Sequence, residues 1–451
     1  MSNYTFPSDF LWGVAGSAFQ MEGAMREGGK CLNSSEAAFY NPETNGRFQD
    51  KRPPDVTCDF YHKYPEDLAL FKELGVNTFR FSIAWSRIIP AKDAEPCQAG
   101  IDYYNRLIDE MLKNGITPFF DLWHSDLPHW VKDNGGLLSD EFPNWYLRYA
   151  EVCLREFGDR IKYWSTVNEP SVNVTGAYYR GTAAPFVKDK ATGFKAMLIM
   201  VLAHFSVCKL YHSMNLGGMI GMVNFSMPAY PNSNSAEDKA AAERYYDWHN
   251  KMWLDPLLKG EYPASLMAFP EIADFMPENY NEQLKAAFEP MDFLGINFYT
   301  AALVRYDEEA DMKFKRLKYE SLPIDEYTFR MYPSGMFDLL HRIKDCYGDI
   351  PLFIAENGTG LLHLEDLEAD AHDPERIDYM REHFRMVHRC IRSGINLKGY
   401  FHWTFLDTYE GTMGAYRFRF AMVQVDPKTK KRRPRDSYYY YQTVIANNEV
   451  D

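Results

Sequence analysis

Residues 61–83 read YHKYPEDLALFKELGVNTFRFSI. From Tyr61 to Leu74 apolar side chains recur three or four apart, as on one face of a helix. The pattern stops at Gly75, a residue suited to the left-handed turn that ends helices. A short β-rich run, Thr78–Ile83, follows at once. Ile101–Lys113 repeats the arrangement, stopping at Asn114-Gly115 just before a run at Thr117–Leu122. Similar runs at Leu11–Ala15, Tyr163–Val167, Ile220–Asn224, Phe293–Asn297, Leu352–Ala355 and Leu397–Phe401 bring the strands to eight, alternating with helical stretches. Alternation predicts an α/β architecture, and the count of eight favours one closed (β/α)8 TIM barrel over residues 1–451. An open doubly wound sheet is the alternative, but no GxGxxG follows the first strand. No repeat or Gly/Ser-rich linker divides the chain. The polar, turn-rich stretches Lys30–Thr57 and Tyr306–Tyr332 are predicted to be extended βα loops that shape a pocket at the C-terminal face.

The 451 residues are 46% hydrophobic and 25% charged, the balance of a well-packed globular protein. The formal net charge of −14 argues against nucleic acid as a partner, because counterion release needs a basic face. The basic run Lys428–Arg435 is expected to be a solvated surface turn. Seven scattered cysteines without a CxxC pair support neither a zinc ribbon nor a disulfide framework, and a reducing cytoplasm is the expected setting. The N-terminal MSNYTFPSDFLWG has no basic region followed by an apolar one, so no signal peptide is expected. No membrane partner is expected either, since the most apolar stretch, Ala196–Phe205, is about half a bilayer span and is interrupted by His204.

The chemistry collects at the strand ends, where barrel enzymes carry their reacting groups. The third strand ends in His124 and Asp126, the fourth in Asn168 and Glu169, and the sixth in Asn297 and Tyr299. The seventh ends in Glu356 and Asn357, and the eighth in Trp403 and Asp407, with Glu410 just beyond. Arg80 lies within the second strand. These polar side chains are expected to converge on one cavity. Glu169 and Glu356 occupy equivalent positions after strands, and a pair of opposed carboxylates is what cleavage of a glycosidic bond needs. His124 and His129 lack an acidic or thiolate partner at ligand spacing, so no metal is predicted. His204, His249 and His402 are read as structural.

Two segments, WSTVNEP (Trp164–Pro170) and FIAENG (Phe353–Gly358), resemble the paired signatures of glycoside hydrolase family 1, the retaining β-glycosidases. The resemblance runs through nearly the whole chain, from FPSDFLWGVAGSAFQMEG (Phe6–Gly23) through RFSIAWSRI, DLWHSDLP, DFLGINFY and GYFHWTFLDTYE to RFAMVQVD and RRPRDS. It implies a (β/α)8 barrel without metal or organic cofactor, acting on small soluble β-glucosides or related glycosides by double displacement. Position by position, it makes Glu169 the general acid/base and Glu356 the nucleophile. Arg80, Asn297 and Tyr299 would support them, Arg80 and Tyr299 by keeping Glu356 ionised. The field of Glu356 would raise the Glu169 pKa until the sugar esterifies Glu356. Gln20, His124, Asn168 and Glu410 match hydroxyl-binding positions, with Asn168 facing the 2-hydroxyl and Trp403 as the stacking floor.

The chain departs from the family pattern at Ser125 and Gly411, where the family usually carries Trp. Two aromatic side chains of roughly 150–250 Å² each are thereby missing beside the sugar. A glycone pocket widened for substituted or disaccharide glycones is the expectation, unless loop residues refill the space. Two alternatives remain at this stage. One is a 6-phospho-β-glycosidase of the same family, for which Arg417 and Arg419 speak and the negative charge of Glu410 speaks against. The other is a non-catalytic sugar-binding barrel.

Overall fold

In the computed structural model, which describes residues 4–317, 331–362, 366–411 and 418–451, eight parallel strands close into a barrel. They are β1 (Leu11–Ala15), β2 (Thr78–Ser82), β3 (Thr117–Trp123), β4 (Tyr163–Asn168), β5 (Met219–Phe225), β6 (Phe293–Asn297), β7 (Leu352–Asn357) and β8 (Leu397–Trp403). Each pairs with its sequence neighbour, and β8 closes the ring on β1 through Gly399–Leu11 to Trp403–Ala15. The fold is the predicted (β/α)8 barrel, with every predicted strand within two residues of its observed bounds.

Side-chain alternation builds two cores. Outward residues meet the helices: Phe71 of helix Phe60–Leu74 packs on Phe79 at 4.7 Å, and Phe60 packs on Phe81 at 5.2 Å. That helix ends at Gly75 with φ +90°, whose N–H closes the last turn on Phe71 and Lys72. Inside the barrel, Phe119, Phe293, Phe353 and Phe401 form an aromatic floor, with Phe119 5.4–5.6 Å from each of the other three. Burying such a ring stabilises by roughly 1.5–3 kcal/mol. The floor is apolar and water-excluding. The polar residues one step further along the strands therefore lie at the barrel mouth.

Plain alternation would not place the two key glutamates' neighbourhoods correctly. On β7 Phe353 faces the interior floor and Ile354 the helical layer, so Glu356 would follow Ile354 outward. A register shift between Ile354 and Glu356 turns Glu356 inward. On β4 Thr166 bonds outward to His204, and a second shift between Ser165 and Asn168 turns Asn168 inward. Irregularities of this kind re-aim side chains at barrel rims.

Gly358, just past β7, is forced by contact: a Cβ there would lie 1.9 Å from the Trp403 carbonyl oxygen. Gly358→Ala is expected to destabilise the fold by about 2–3 kcal/mol, read as a lower denaturant midpoint at unchanged slope.

Three expectations are corrected. Lys30–Thr57 is not uniformly irregular: it contains helix Ser34–Tyr40, capped by a reciprocal pair in which Asn33 accepts from the Glu36 N–H and Glu36 from the Asn33 N–H. Tyr306–Tyr332 begins with a hairpin of Ala302–Tyr306 and Phe314–Arg316, while residues 318–330 lie outside the described residues. The run Lys428–Arg435 is not wholly solvated. Lys428 and Lys431 are exposed, but Arg432 is buried against Asp67 at 2.7 Å, and Arg435 is buried on Asp370 and Asp407 at 2.8 and 3.0 Å. Those pairs need their arginines desolvated. They also fix the loop after β8, since Asp407 stands three residues before Glu410.

Helix Lys190–Met214 is long and apolar enough by composition to cross a membrane, and two-thirds of its most apolar window, 67%, is buried in the protein.

Candidate active site

A cavity of about 430 Å³ opens at the C-terminal mouth of the barrel. Of the residues singled out from the sequence, Gln20, His124, Ser125, Asn168, Glu169, Tyr299, Glu356, Trp403, Glu410 and Gly411 line it. Arg80 and Asn297 stand directly behind the wall and hold it.

Arg80 is the hub. It is fully buried in β2, and its guanidinium donates to Glu356 Oε1 at 2.7 Å, to Asp121 Oδ2 at 2.6 Å and to Asn168 Oδ1 at 2.6 Å. A buried cation is tolerable only when paired and fully bonded, which these acceptors achieve. Asp121 escaped the sequence reading. Its signal was available, as the one charge in the strand TPFFDLW. The second oxygen of Glu356 accepts from the Tyr299 hydroxyl at 2.6 Å. Burial, and then the carboxylates of Glu356 and Glu169, hold the Tyr299 phenol protonated and hence a donor. With both oxygens engaged, Glu356 has one orientation.

Glu169 is set differently. Its backbone lies in the left-handed region at φ +48°, between the end of β4 and Pro170 at the first turn of a short helix. A non-glycine residue rarely sits there. The conformation is held by the Glu169 N–H bonding Val223 O at 2.8 Å. The side chain takes one hydrogen bond, from Asn297 Nδ2 to Oε1 at 2.8 Å, and the same amide also donates to Asn168 at 3.0 Å. Loss of solvent pushes its pKa up to about 8, with Glu356 as the second cause and Asn297 opposing. Burial outweighs the Glu356 field, the cause expected from the sequence. Two carboxyl groups in one cavity thus differ in their partners, one bonded to a cation and a phenol, the other to a single neutral amide.

The sugar-sized walls follow. His124 approaches Asp121 through Nδ1 at 3.4 Å and meets Asn168 Nδ2 through Nε2 at 3.1 Å. Its ring lies parallel to the Trp403 indole, 5.5 Å between centroids at 10°. On the far side, Gln20 Nε2 donates to Glu410 at 3.3 Å, Ser17 donates to Gln20 at 2.7 Å, and Thr408 donates to Glu410. Burial pushes the Glu410 carboxyl up to about 7, against the hydrogen bond from Thr408. A carboxyl raised in this way repels phosphate less than an ordinary carboxylate would. Asn173, unpredicted, donates to the backbone of both His124 and Asn168 at 2.6 and 2.9 Å.

Three strand-end residues do not join the cavity. Asn357 turns to Phe298 O and the hydroxyls of Tyr379 and Tyr400. Asp407 pairs with Arg435. Asp126 is buried outside the cavity wall, its carboxyl pushed up to about 8 by burial. Arg419, advanced as a phosphate ligand, is buried on Asp370 at 2.7 Å and Asp407 at 3.5 Å; Arg417 lies outside the described residues. His204 and His402 are buried and His249 is half-buried; none of them lines the cavity, and loss of solvent pushes all three down to about 3.

The sequence profile of glycosyl hydrolase family 1 matches residues 2–450. The chain is 35% identical to beta-glucosidase A of Acetivibrio thermocellus, across 99% of this chain and 100% of that one. It is 36% identical to the 6-phospho-beta-glucosidase GmuD of Bacillus subtilis, across 99% and 98%. A family 1 glycoside hydrolase of Thermotoga maritima, solved with a cyclophellitol analogue that mimics the transition state, superposes with a TM-score of 0.94 at 34% identity, covering 100% of both chains.

Proposed function

Since this chain belongs to glycosyl hydrolase family 1 and is a retaining glycoside hydrolase, we propose that it cleaves the non-reducing-end bond of small soluble β-glucosides, with Glu356 as nucleophile and Glu169 as acid and then base. The observation that carries these roles is the contrast between the two carboxyl groups. Glu356 is aimed by Arg80 and Tyr299, whereas Glu169, half-buried, accepts only from the Asn297 amide among the described residues and has its pKa raised. A group that starts as an acid must hold its proton at working pH, and a pKa near 8 does that.

Glu356 attacks the anomeric carbon as Glu169 protonates the departing oxygen, giving a covalent glycosyl ester. Esterification removes the Glu356 charge, the second contribution to the raised Glu169 pKa, so that pKa falls and the residue can take a proton from the attacking water. Asn168, fixed by Arg80 and Asn297, faces the 2-hydroxyl, where contacts tighten in the transition state. Trp403 is the floor for the sugar's C–H face, and Gln20, His124 and Glu410 take the remaining hydroxyls. The scattered cysteines support a cytoplasmic setting.

A 6-phospho substrate is a second reading, favoured by the similarity to GmuD. Against it, no lysine or arginine lines the cavity among the described residues. The deciding experiment is incubation with 2-deoxy-2-fluoro-β-glucosyl fluoride and its 6-phosphate, followed by peptide mapping. The free sugar is expected to label Glu356 and the phosphate not. Labelling by the phosphate alone would transfer the assignment to the second reading, and labelling elsewhere would remove the nucleophile.

The pH profile has a fixed sign. The first step needs protonated Glu169, so kcat/KM is expected to hold below about pH 8 and to fall tenfold per unit above it. Initial rates on an aryl β-glucoside from pH 6 to 10 check this.

A further inference from the structure

The cavity does not end at the residues that bind one sugar. Its wall continues through Ser34, Ser35 and Phe48 from the loop after β1, Leu127 and Leu137 from the loop after β3, and Tyr178 from the segment after β4. At about 430 Å³ it falls within the roughly 300–1,000 Å³ of sites that hold drug-sized ligands.

Ser125 stands between the two parts. The strand-like contact Asn33–Pro128, with Ser34 N–H bonding Leu127 O at 2.7 Å, brings Ser34 and Ser35 beside the turn that carries Ser125. On the other flank Asn173 holds His124, and the Tyr178 hydroxyl accepts from Leu137 N–H at 3.1 Å, keeping that wall back. Phe186, on the far side of the cavity, carries the exposed Arg47 stacked on its ring at 4.4 Å. At the neighbouring gap, a Cβ on Gly411 would meet nothing within 4 Å among the described residues.

The extension belongs to the glycone side. The residues proposed to grip the sugar come from β1, β3, β4 and β8, and Ser125 and Gly411 each directly follow one of them, His124 and Glu410. Asn168 faces the 2-hydroxyl and the Gln20–Glu410 pair the opposite end. The two openings therefore flank the hydroxyl between, at position 3. The extra wall combines aromatic faces (Phe48, Tyr178) with hydroxyls (Ser34, Ser35), the chemistry that takes a pyranose by its C–H face and its edges.

We propose that this chamber is a second glycone subsite, holding a sugar carried on the 3-hydroxyl, so that the enzyme releases an intact 1→3-linked disaccharide from its aglycone. The proposal rests on the retaining β-glucosidase reading. The bond broken is that between the inner sugar and the aglycone oxygen; water supplies the hydroxyl to the disaccharide and Glu169 the proton to the aglycone.

The test compares p-nitrophenyl β-glucoside with p-nitrophenyl β-laminaribioside, following nitrophenol and separating the sugars released. The expected result is intact laminaribiose, with kcat/KM above that for the glucoside. Ser125→Trp is expected to cut the ratio of the two kcat/KM values at least tenfold. Stepwise release of glucose, a wild-type ratio below one, or a ratio untouched in a folded Ser125→Trp protein would overturn the subsite while leaving the β-glucosidase reading standing. Inertness toward both substrates would overturn both.

Discussion

Glu356→Ala is expected to lower kcat on an aryl β-glucoside by at least about 10⁴-fold, some 5.4 kcal/mol of transition-state stabilisation. The nucleophile is the group that forms the covalent ester, and no other carboxylate in the cavity shares its two fixed partners, Arg80 at 2.7 Å and Tyr299 at 2.6 Å. The truncated side chain leaves a gap on the face opposite the leaving group, beside an Arg80 that has lost one counter-ion. A small anion such as azide fits that gap by charge and size. Added azide is therefore expected to restore turnover and give the α-glycosyl azide, one displacement instead of two inverting the anomeric centre. Steady-state rates with and without azide, and the product's anomeric configuration by NMR, check this. Residual activity above about 1%, or a β-configured azide, would remove Glu356 from the role. Because Glu356 is the second cause of the raised Glu169 pKa, the same variant is expected to titrate Glu169 lower than the wild type does.

The strands, their order and both glutamates were legible because each rests on local signals. Helix stops such as Gly75 and short β-rich runs set the eight-fold alternation, and the family motifs span whole strand ends. What escaped was of two kinds. Register shifts at Ser165–Asn168 and Ile354–Glu356 depend on how neighbouring strands twist past one another, and a period-two pattern holds no trace of them. Long-range pairing was the other. Arg432 and Arg435 read as surface charges because their partners Asp67, Asp370 and Asp407 are distant in sequence. Asp407 was assigned to the cavity for the same reason. Two features could have been read and were not: Asn33-Ser-Ser-Glu36 spells a capping box, and Asp121 interrupts an apolar strand. Both matter to the site, since the first helix carries Ser34 and Ser35 and the second anchors Arg80.

Glu169→Ala is expected to discriminate between substrates by leaving group, where Glu356→Ala does not. An alkyl or sugar oxygen departs only when protonated, so removing the acid should cost about 10²–10⁴-fold on such glycosides. A dinitrophenolate leaves without a proton, so formation of the glycosyl ester from dinitrophenyl β-glucoside should be nearly preserved. Breakdown of that ester then becomes limiting, because the base that would activate water is missing. A burst of dinitrophenol followed by slow turnover is the signature, with KM lowered as intermediate accumulates. Azide, needing no base, should speed the second step and yield the β-azide, the opposite anomer from the Glu356 variant. The decline above about pH 8 should vanish as well, since Glu169 is the group that carries it. If instead both leaving groups lost rate equally, the left-handed turn at Glu169 and its bond to Asn297 would be shaping the cavity and not delivering the proton. Glu169→Gln, which keeps an Asn297 acceptor but cannot ionise, separates those cases: it should reproduce the leaving-group dependence only if proton transfer is what was lost.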